Sequence, residues 1–140
     1  MPHLKQVLFF SLCGLVAVGV LTGVTTPQAV QAKIALRSAE HRGDMLFHSS
    51  RLGTNGLSCD NCHVDGGRFS HRLAARRIPS LVGAKSLFPV VSSNGQVRTL
   101  EEQINLCIMR GLQGKPLAPE SRQLSLLDLY IRHLSRFHER

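Results

Sequence analysis

Apolar and polar positions divide the chain into an uncharged leader and a longer, mixed remainder. Residues 7–24 carry no charge, and small residues follow at Val30 and Ala32 in the positions that a signal peptidase inspects. A secretory signal has this layout. We therefore predict a signal peptide over residues 1–32 and one domain over residues 33–140. The alternative is a retained membrane anchor, because an uncharged run of about 18 residues can just cross a bilayer.

Three stretches of the remainder show the apolar spacing of amphipathic helices. They cover residues 38–49, residues 100–112 and residues 121–137. Thr99 and Glu102 are spaced as a capping box at the start of the second stretch, which indicates where that helix begins. The pattern predicts an all-α fold with three main helices and long loops.

Turn-forming residues fill the segments between these helices. The predicted turns are Asn55-Gly56, Asp65-Gly66-Gly67 and Ser93-Asn94-Gly95. We expect an extended loop at residues 78–83 and a short extended piece at residues 87–91. The middle of the chain is therefore predicted to be irregular.

The predicted domain is basic. All nine acidic residues lie after Ala32 together with sixteen of the seventeen Lys and Arg, so residues 33–140 carry a net charge of +7. Such a charge steers acidic protein partners or anions toward the surface. Nucleic acid is the other usual partner of a basic domain. Predicted export argues against it, as does the lack of aromatic residues interleaved with basic ones for base stacking.

One short motif carries specific chemistry. Cys59 and Cys62 are followed directly by His63, which is the Cys-x-x-Cys-His pattern of c-type haem attachment. Two thiols on one tight turn can add to the two vinyl groups of a haem, and the adjacent imidazole can then bind the iron. A thioredoxin-like site would need a βαβ pattern, and a zinc site would need a second ligand pair. A disulfide would leave His63 unused, so we predict one covalent haem c.

The residues alone do not decide which side chain is the second axial ligand of the iron. Haem iron takes His, Met or Cys there, or leaves the position free. Cys107 falls inside the apolar arc of the second helix, whereas Met109 falls well outside it. Cys107 is also the third cysteine of the predicted domain, and ligation would explain it. A buried free Cys is the ordinary alternative.

Residues around the extended loop are candidates for packing against the haem. Pro79 offers a carbonyl that can accept the proximal imidazole N–H and orient the ring, and Leu81 offers an apolar side chain. Arg76 and Arg77 are candidate partners for the haem propionates. His71 lies on the same basic stretch, and we expect it to be solvated.

These residues together resemble the cytochrome c superfamily. The segment from Leu52 through His63 resembles the entry to the haem in periplasmic c-type cytochromes, and residues 77–83 follow in the expected order. Residues 99–107 with Gly114-Lys115 resemble thiosulfate dehydrogenases and the cytochromes of the sulfur-oxidising system. The resemblance implies a class I cytochrome c-like fold around one covalent haem. It also implies that Cys107 is the distal iron ligand, with Met109 as the alternative.

The resemblance has two departures. Thiosulfate dehydrogenases carry two haems, whereas this chain has one Cys-x-x-Cys-His motif. Their Arg-Ser after the ligating cysteine is Arg110-Gly111 here, which bears on how a substrate is held.

Two functions compete on this basis. The first, which the size of the domain and the single haem motif favour, is a periplasmic electron carrier that docks acidic redox proteins, with membrane contact only if the N-terminal segment is retained. The second is a haem subunit or enzyme of thiosulfate or sulfur-anion oxidation with a Cys-ligated haem. A small-ligand sensor with an open sixth position is a third option.

Overall fold

The computed structural model describes residues 26–136. The uncharged run at residues 7–24 and the predicted end of the last helix at Phe137 lie outside the described residues. Three α-helices dominate: α1 (Pro27–Phe47), α2 (Leu100–Gly111) and α3 (Arg122–Ser135). Over residues 26–136, no helix combines the length and apolar character needed to cross a membrane.

Helix α1 begins about three turns before the predicted start at Ser38, so that boundary was wrong. Thr26 is the N-cap, and Pro27 occupies the first turn. Proline is suited to that position because its fixed φ matches the helix. Residues 28–36 are mostly Ala, Gln, Lys and Leu, whose helix propensity extends the helix without tertiary contacts. Cleavage after Ala32 stays a prediction.

Helices α2 and α3 begin where the capping residues predicted. Glu102 N–H donates to Thr99 Oγ1 at 3.3 Å, and Thr99 N–H donates to Glu102 Oε2 at 2.8 Å. Leu124 N–H donates to Ser121 Oγ at 3.3 Å at the start of α3. Local side-chain acceptors satisfy the orphan N–H groups of each first turn, which is why these starts could be predicted.

Helices α1 and α3 pack directly on each other. Gly43 is the contact point, because a Cβ at this position would overlap the carbonyl of Leu126 and the Cβ of Tyr130. The core gathers apolar side chains from all three helices and from the loops between them: Phe47, Leu52, Ala84, Leu100, Ile104, Ile108, Leu112, Leu124, Leu127, Tyr130, Ile131 and Leu134.

The expectation of an all-α fold was incomplete, because two small antiparallel hairpins join the helices. Strand β1 (His71–Leu73) pairs with β2 (Arg76–Ile78), and β3 (Val90–Val91) pairs with β4 (Val97–Arg98). The β3–β4 hairpin turns at the predicted Ser93-Asn94-Gly95. The β1–β2 hairpin was missed because Ala74 takes a φ of 53° at its turn, which turn chemistry assigns to Gly or Asn. Short 3₁₀ turns at Ser50–Leu52, Cys59–Asn61, Asp65–Gly67 and Ala84–Leu87 complete the described chain.

Candidate functional site

The Cys-x-x-Cys-His motif forms one tight turn. Cys62 N–H and His63 N–H both donate to the carbonyl of Cys59, at 3.1 and 2.8 Å. Asn61 closes the turn from within, since its Oδ1 accepts from Ser58 N–H at 2.7 Å and from Ser58 Oγ at 3.0 Å. Local hydrogen bonds within this turn thus hold the two thiols and the imidazole close together.

This turn lines a cavity of about 390 Å³. Cys59, Cys62 and His63 border it from the turn, and Cys107 borders it from α2. Such a volume is within the range of cofactor pockets, which are mostly apolar with a few polar groups. The apolar side chains that line it come from the helices and the middle loops: Phe47, Ile78, Leu81, Ala84, Phe88, Leu100, Ile104, Leu106, Leu112, Leu127 and Ile131.

His63 is prepared to bind a metal. Burial lowers the pKa of its imidazole, which favours the neutral ring that coordinates iron. Its Nδ1 lies 3.4 Å from the carbonyl oxygen of Pro79, a long hydrogen bond. A donor at Nδ1 leaves Nε2 free for coordination. The structure therefore places Pro79 in the orienting position that the sequence suggested, and Leu81 on the cavity wall.

Cys59 and Cys107 lie near each other across the cavity. Burial, with a smaller contribution from the nearby Cys107, raises the pKa of Cys59 to about 12. Gln103 Nε2 lies 3.5 Å from Cys107 Sγ, one turn away on α2. The Cys107 sulfur is thus directed to the same space as the haem-attachment motif.

Met109 faces a different surface. It is 39% exposed and borders a shallow depression beside the β3–β4 hairpin, together with Gln96 and Val97. The helical geometry of α2 separates Met109 from the cavity as expected. Ligation by Cys107 itself stays a prediction.

Arginine side chains contribute to the lining of the cavity. Arg76, Arg98 and Arg110 line it, whereas Arg77 does not. Successive residues of a strand point to opposite faces, so Arg76 faces inward on β2 and Arg77 faces outward. Of the two predicted propionate partners, only Arg76 therefore lies where it could contact a haem propionate.

Comparisons with known proteins agree with this site. Residues 42–139 match the family model described as SoxA/TsdA, cytochrome c domain. The chain belongs to this family. Its cofactor is accordingly a covalently bound c-type haem, and the cytochrome c domains of the family are typically periplasmic.

Curated relatives of this SoxA/TsdA domain are thiosulfate dehydrogenases. The protein of Stutzerimonas stutzeri is 32% identical over 66% of this chain and 28% of its own length. The protein of Allochromatium vinosum is 28% identical over 86% of this chain and 44% of its own length. The chain therefore spans less than half the length of the curated relatives it matches.

A solved structure shares the fold. Thiosulfate dehydrogenase (TsdBA) from Marichromatium purpuratum superposes with a TM-score of 0.55 at 22% identity, over 79% of this chain and 28% of that chain. The two chains therefore share a fold over this region.

The residues present fit a covalent haem. The SoxA/TsdA domain offers two thiols and a neutral imidazole on one turn, an apolar cavity beside them and a further thiol on α2. Cys59 and Cys62 would hold the porphyrin by thioether bonds, and His63 would hold the iron. This donor set is that of a c-type cytochrome.

A clamp that sequence reasoning missed fixes α2 relative to the haem turn. Thr54 N–H donates to the carbonyl of Leu112 at 3.0 Å, and Asn55 Nδ2 donates to the carbonyl of Gly111 at 2.9 Å. Backbones approach closely here, since a Cβ on Gly53 would overlap Leu112. The clamp sets where Cys107 stands relative to Cys59. In the sequence, Gly53 indicates a close backbone approach, but only the fold shows that it approaches Leu112.

Proposed function

We propose that this chain is a periplasmic haem domain with a class I cytochrome c arrangement that oxidises a sulfur anion of the thiosulfate class. The family and the relatives named thiosulfate dehydrogenase support the substrate class. Electrons leave the domain one at a time to an acidic redox protein, for which the basic charge of the chain provides steering.

The proposal rests on the position of Cys107, which lines a cavity that is also lined by arginines. Its sulfur faces the cavity that His63 borders, and three arginines line the same cavity. Guanidinium groups bind oxyanions with two parallel hydrogen bonds. A dianion that enters beside Arg98 and Arg110 is therefore held next to the thiol of α2.

The overall reaction balances with a one-electron acceptor protein as co-reactant. Two thiosulfate dianions join by one new S–S bond to form tetrathionate, which carries two negative charges, and two electrons are released. No proton is taken up or lost, and no bond is broken. The haem supplies one-electron redox chemistry when bound. The role of the arginines is to offset the repulsion between the two dianions.

The experiment is thiosulfate-driven reduction of ferricyanide by the haem-loaded protein. We expect turnover by the unaltered chain and a loss of about a hundredfold or more in Cys107→Ala. Met109→Leu is the matched control, because it alters a sulfur side chain of the same helix outside the cavity. It should retain the full rate.

An electron carrier is the second candidate function, and the single Cys-x-x-Cys-His motif in this chain favours it. A carrier would accept electrons from ascorbate and pass them to ferricyanide, but it would not respond to thiosulfate. Haem-loaded protein that is reduced by ascorbate but shows no turnover with thiosulfate would therefore support the carrier function and exclude the enzyme function.

A further inference from the structure

Gln103 joins an arginine to the predicted iron ligand by two contacts. Arg98 Nη1 donates to Gln103 Oε1 at 3.2 Å, and Gln103 Nε2 lies 3.5 Å from Cys107 Sγ. All three side chains line the haem cavity. The site described above assigns a role to the arginine and to the cysteine, but none to the amide that connects them.

Local structure holds this row of side chains in place. Arg98 ends β4, and Gln103 and Cys107 lie on α2. Residues four apart on a helix lie one above the other on the same face. The junction between β4 and α2 is fixed by the capping box of Thr99 and Glu102, and Gln103 N–H donates to the Thr99 carbonyl at 3.1 Å. The three side chains are therefore positioned within ten consecutive residues.

Arg98 decides which way the amide of Gln103 points. A guanidinium group only donates hydrogen bonds and has no acceptor. The carbonyl oxygen of the amide must therefore face Arg98, since a flipped amide would direct two donors at each other. The amide nitrogen then faces Cys107, so the sulfur receives an N–H donor and not a carbonyl oxygen.

A donor at this sulfur has a definite effect on a ligated iron. Hydrogen bonds to the cysteine sulfur of iron and copper centres tune their reduction potential. The bond is stronger when the sulfur is negatively charged. Because the sulfur carries more negative charge when the iron is ferrous, the donor favours ferrous iron.

We propose that Gln103 is a positioning residue for Cys107, donating an Nε2–H to its sulfur while Arg98 holds the amide in that orientation. The proposal rests on ligation of the haem iron by Cys107. It applies equally to an enzyme and to an electron carrier, because it does not depend on oxidation of a sulfur anion.

The test compares two donor-free variants in haem-loaded protein. Gln103→Leu removes the amide, whereas Gln103→Glu keeps its shape and an oxygen for Arg98 but has no N–H. Electron–nuclear double resonance of the ferric protein should show an exchangeable proton in wild type that is absent in both variants. At a fixed solution potential, the ratio of ferrous to ferric protein should fall about three- to tenfold in Gln103→Leu, the scale of one hydrogen bond. It should fall at least as far in Gln103→Glu, which adds a negative charge.

Controls separate this role from a general effect of the substitution. Gln123→Leu makes the same change at an exposed position of α3 outside the cavity, and it should alter the ratio less than about twofold. Arg98→Lys keeps a donor for Gln103 Oε1 and should retain the exchangeable-proton signal. Arg98→Met releases the amide and should weaken that signal. If Gln103→Leu does not load haem, Gln103→Glu serves as the donor-free variant.

Two results would overturn the proposal. One is a donor-free variant with covalent haem whose exchangeable-proton signal and ferrous-to-ferric ratio match the wild type. The other is a wild-type electron spin resonance spectrum without a thiolate signature, since Gln103 would then have no ligating sulfur to position. Neither readout involves thiosulfate, so a protein without thiosulfate turnover can still confirm the role of Gln103.

Discussion

Tyr130 ties helix α3 to the loop that follows the haem motif, and its removal tests the packing described above. The side chain is 3% exposed, and its hydroxyl donates to the carbonyl of Gly66 at 2.9 Å. Gly66 N–H in turn donates to Asp60 Oδ1 at 2.7 Å, inside the haem turn. Tyr130→Phe keeps the ring and removes the hydroxyl that makes this hydrogen bond.

The size of the expected loss of stability follows from the burial of Gly66. Its carbonyl loses a partner and gains none, because the backbone there is buried. An unpaired buried acceptor costs about 1–3 kcal/mol. For a domain of this size, 1 kcal/mol corresponds to a change of about 4 °C in Tm. We therefore expect Tyr130→Phe to lower Tm by about 4–12 °C.

The effect should depend on pH with a definite sign. Burial raises the pKa of Tyr130 above its ordinary value near 10. A raised pKa contributes stability that is fully present below pH 10 and is lost as pH rises through the folded-state pKa. The difference between wild type and Tyr130→Phe should therefore be constant from pH 6 to about 9 and shrink at higher pH.

Thermal denaturation of the haem-loaded proteins, followed by circular dichroism, measures both quantities. Ser125→Ala is the matched control, since it deletes an exposed hydroxyl of the same helix that donates to the Ser121 carbonyl at 3.2 Å. It should change the free energy of unfolding by less than about 0.5 kcal/mol. A Tyr130→Phe protein as stable as this control would refute the reasoning.

Two further predictions concern the iron ligand and the helix crossing. Cys107→Ala should lose the thiolate signature of the low-spin electron spin resonance spectrum, whereas Met109→Leu should keep it; an unchanged Cys107→Ala spectrum would exclude Cys107 as ligand. Gly43→Ala should lower the free energy of unfolding in urea by about 1–3 kcal/mol, because the added Cβ overlaps α3. Ser38→Ala, exposed on the same helix, should stay within about 0.5 kcal/mol, and equal stability of the two variants would contradict the close crossing of α1 and α3.

The fold could be predicted where its signals are local. Thr99 with Glu102, and Ser121 ahead of its apolar stripe, marked the starts of α2 and α3 because capping involves residues within one turn. The start of α1 was misplaced, because Ser38 is an equally acceptable cap in sequence. The helix extends N-terminally past Ser38 because the residues there have high helix propensity, and it begins at its N-cap Thr26.

The candidate site likewise has a part that local sequence predicts and a part that depends on the fold. The haem motif was readable because Cys59, Cys62 and His63 lie within five consecutive residues. The position of Cys107 beside them was a hypothesis from the helical wheel. Its place in the cavity depends on the clamp between Thr54 and the end of α2, which joins residues far apart in sequence. No periodicity encodes such a contact.

The amino-acid sequence by itself determined the chemistry of the turn that carries the haem, the two capped helices and the positive charge, because each depends on neighbouring residues or on composition. Only the tertiary structure decided which arginine of β2 faces the cavity. Within residues 26–136, it also left the buried Nδ1 of His71 without a hydrogen-bond partner, whereas the sequence had suggested a solvated ring. These properties depend on which surfaces meet after folding, and long-range packing sets them.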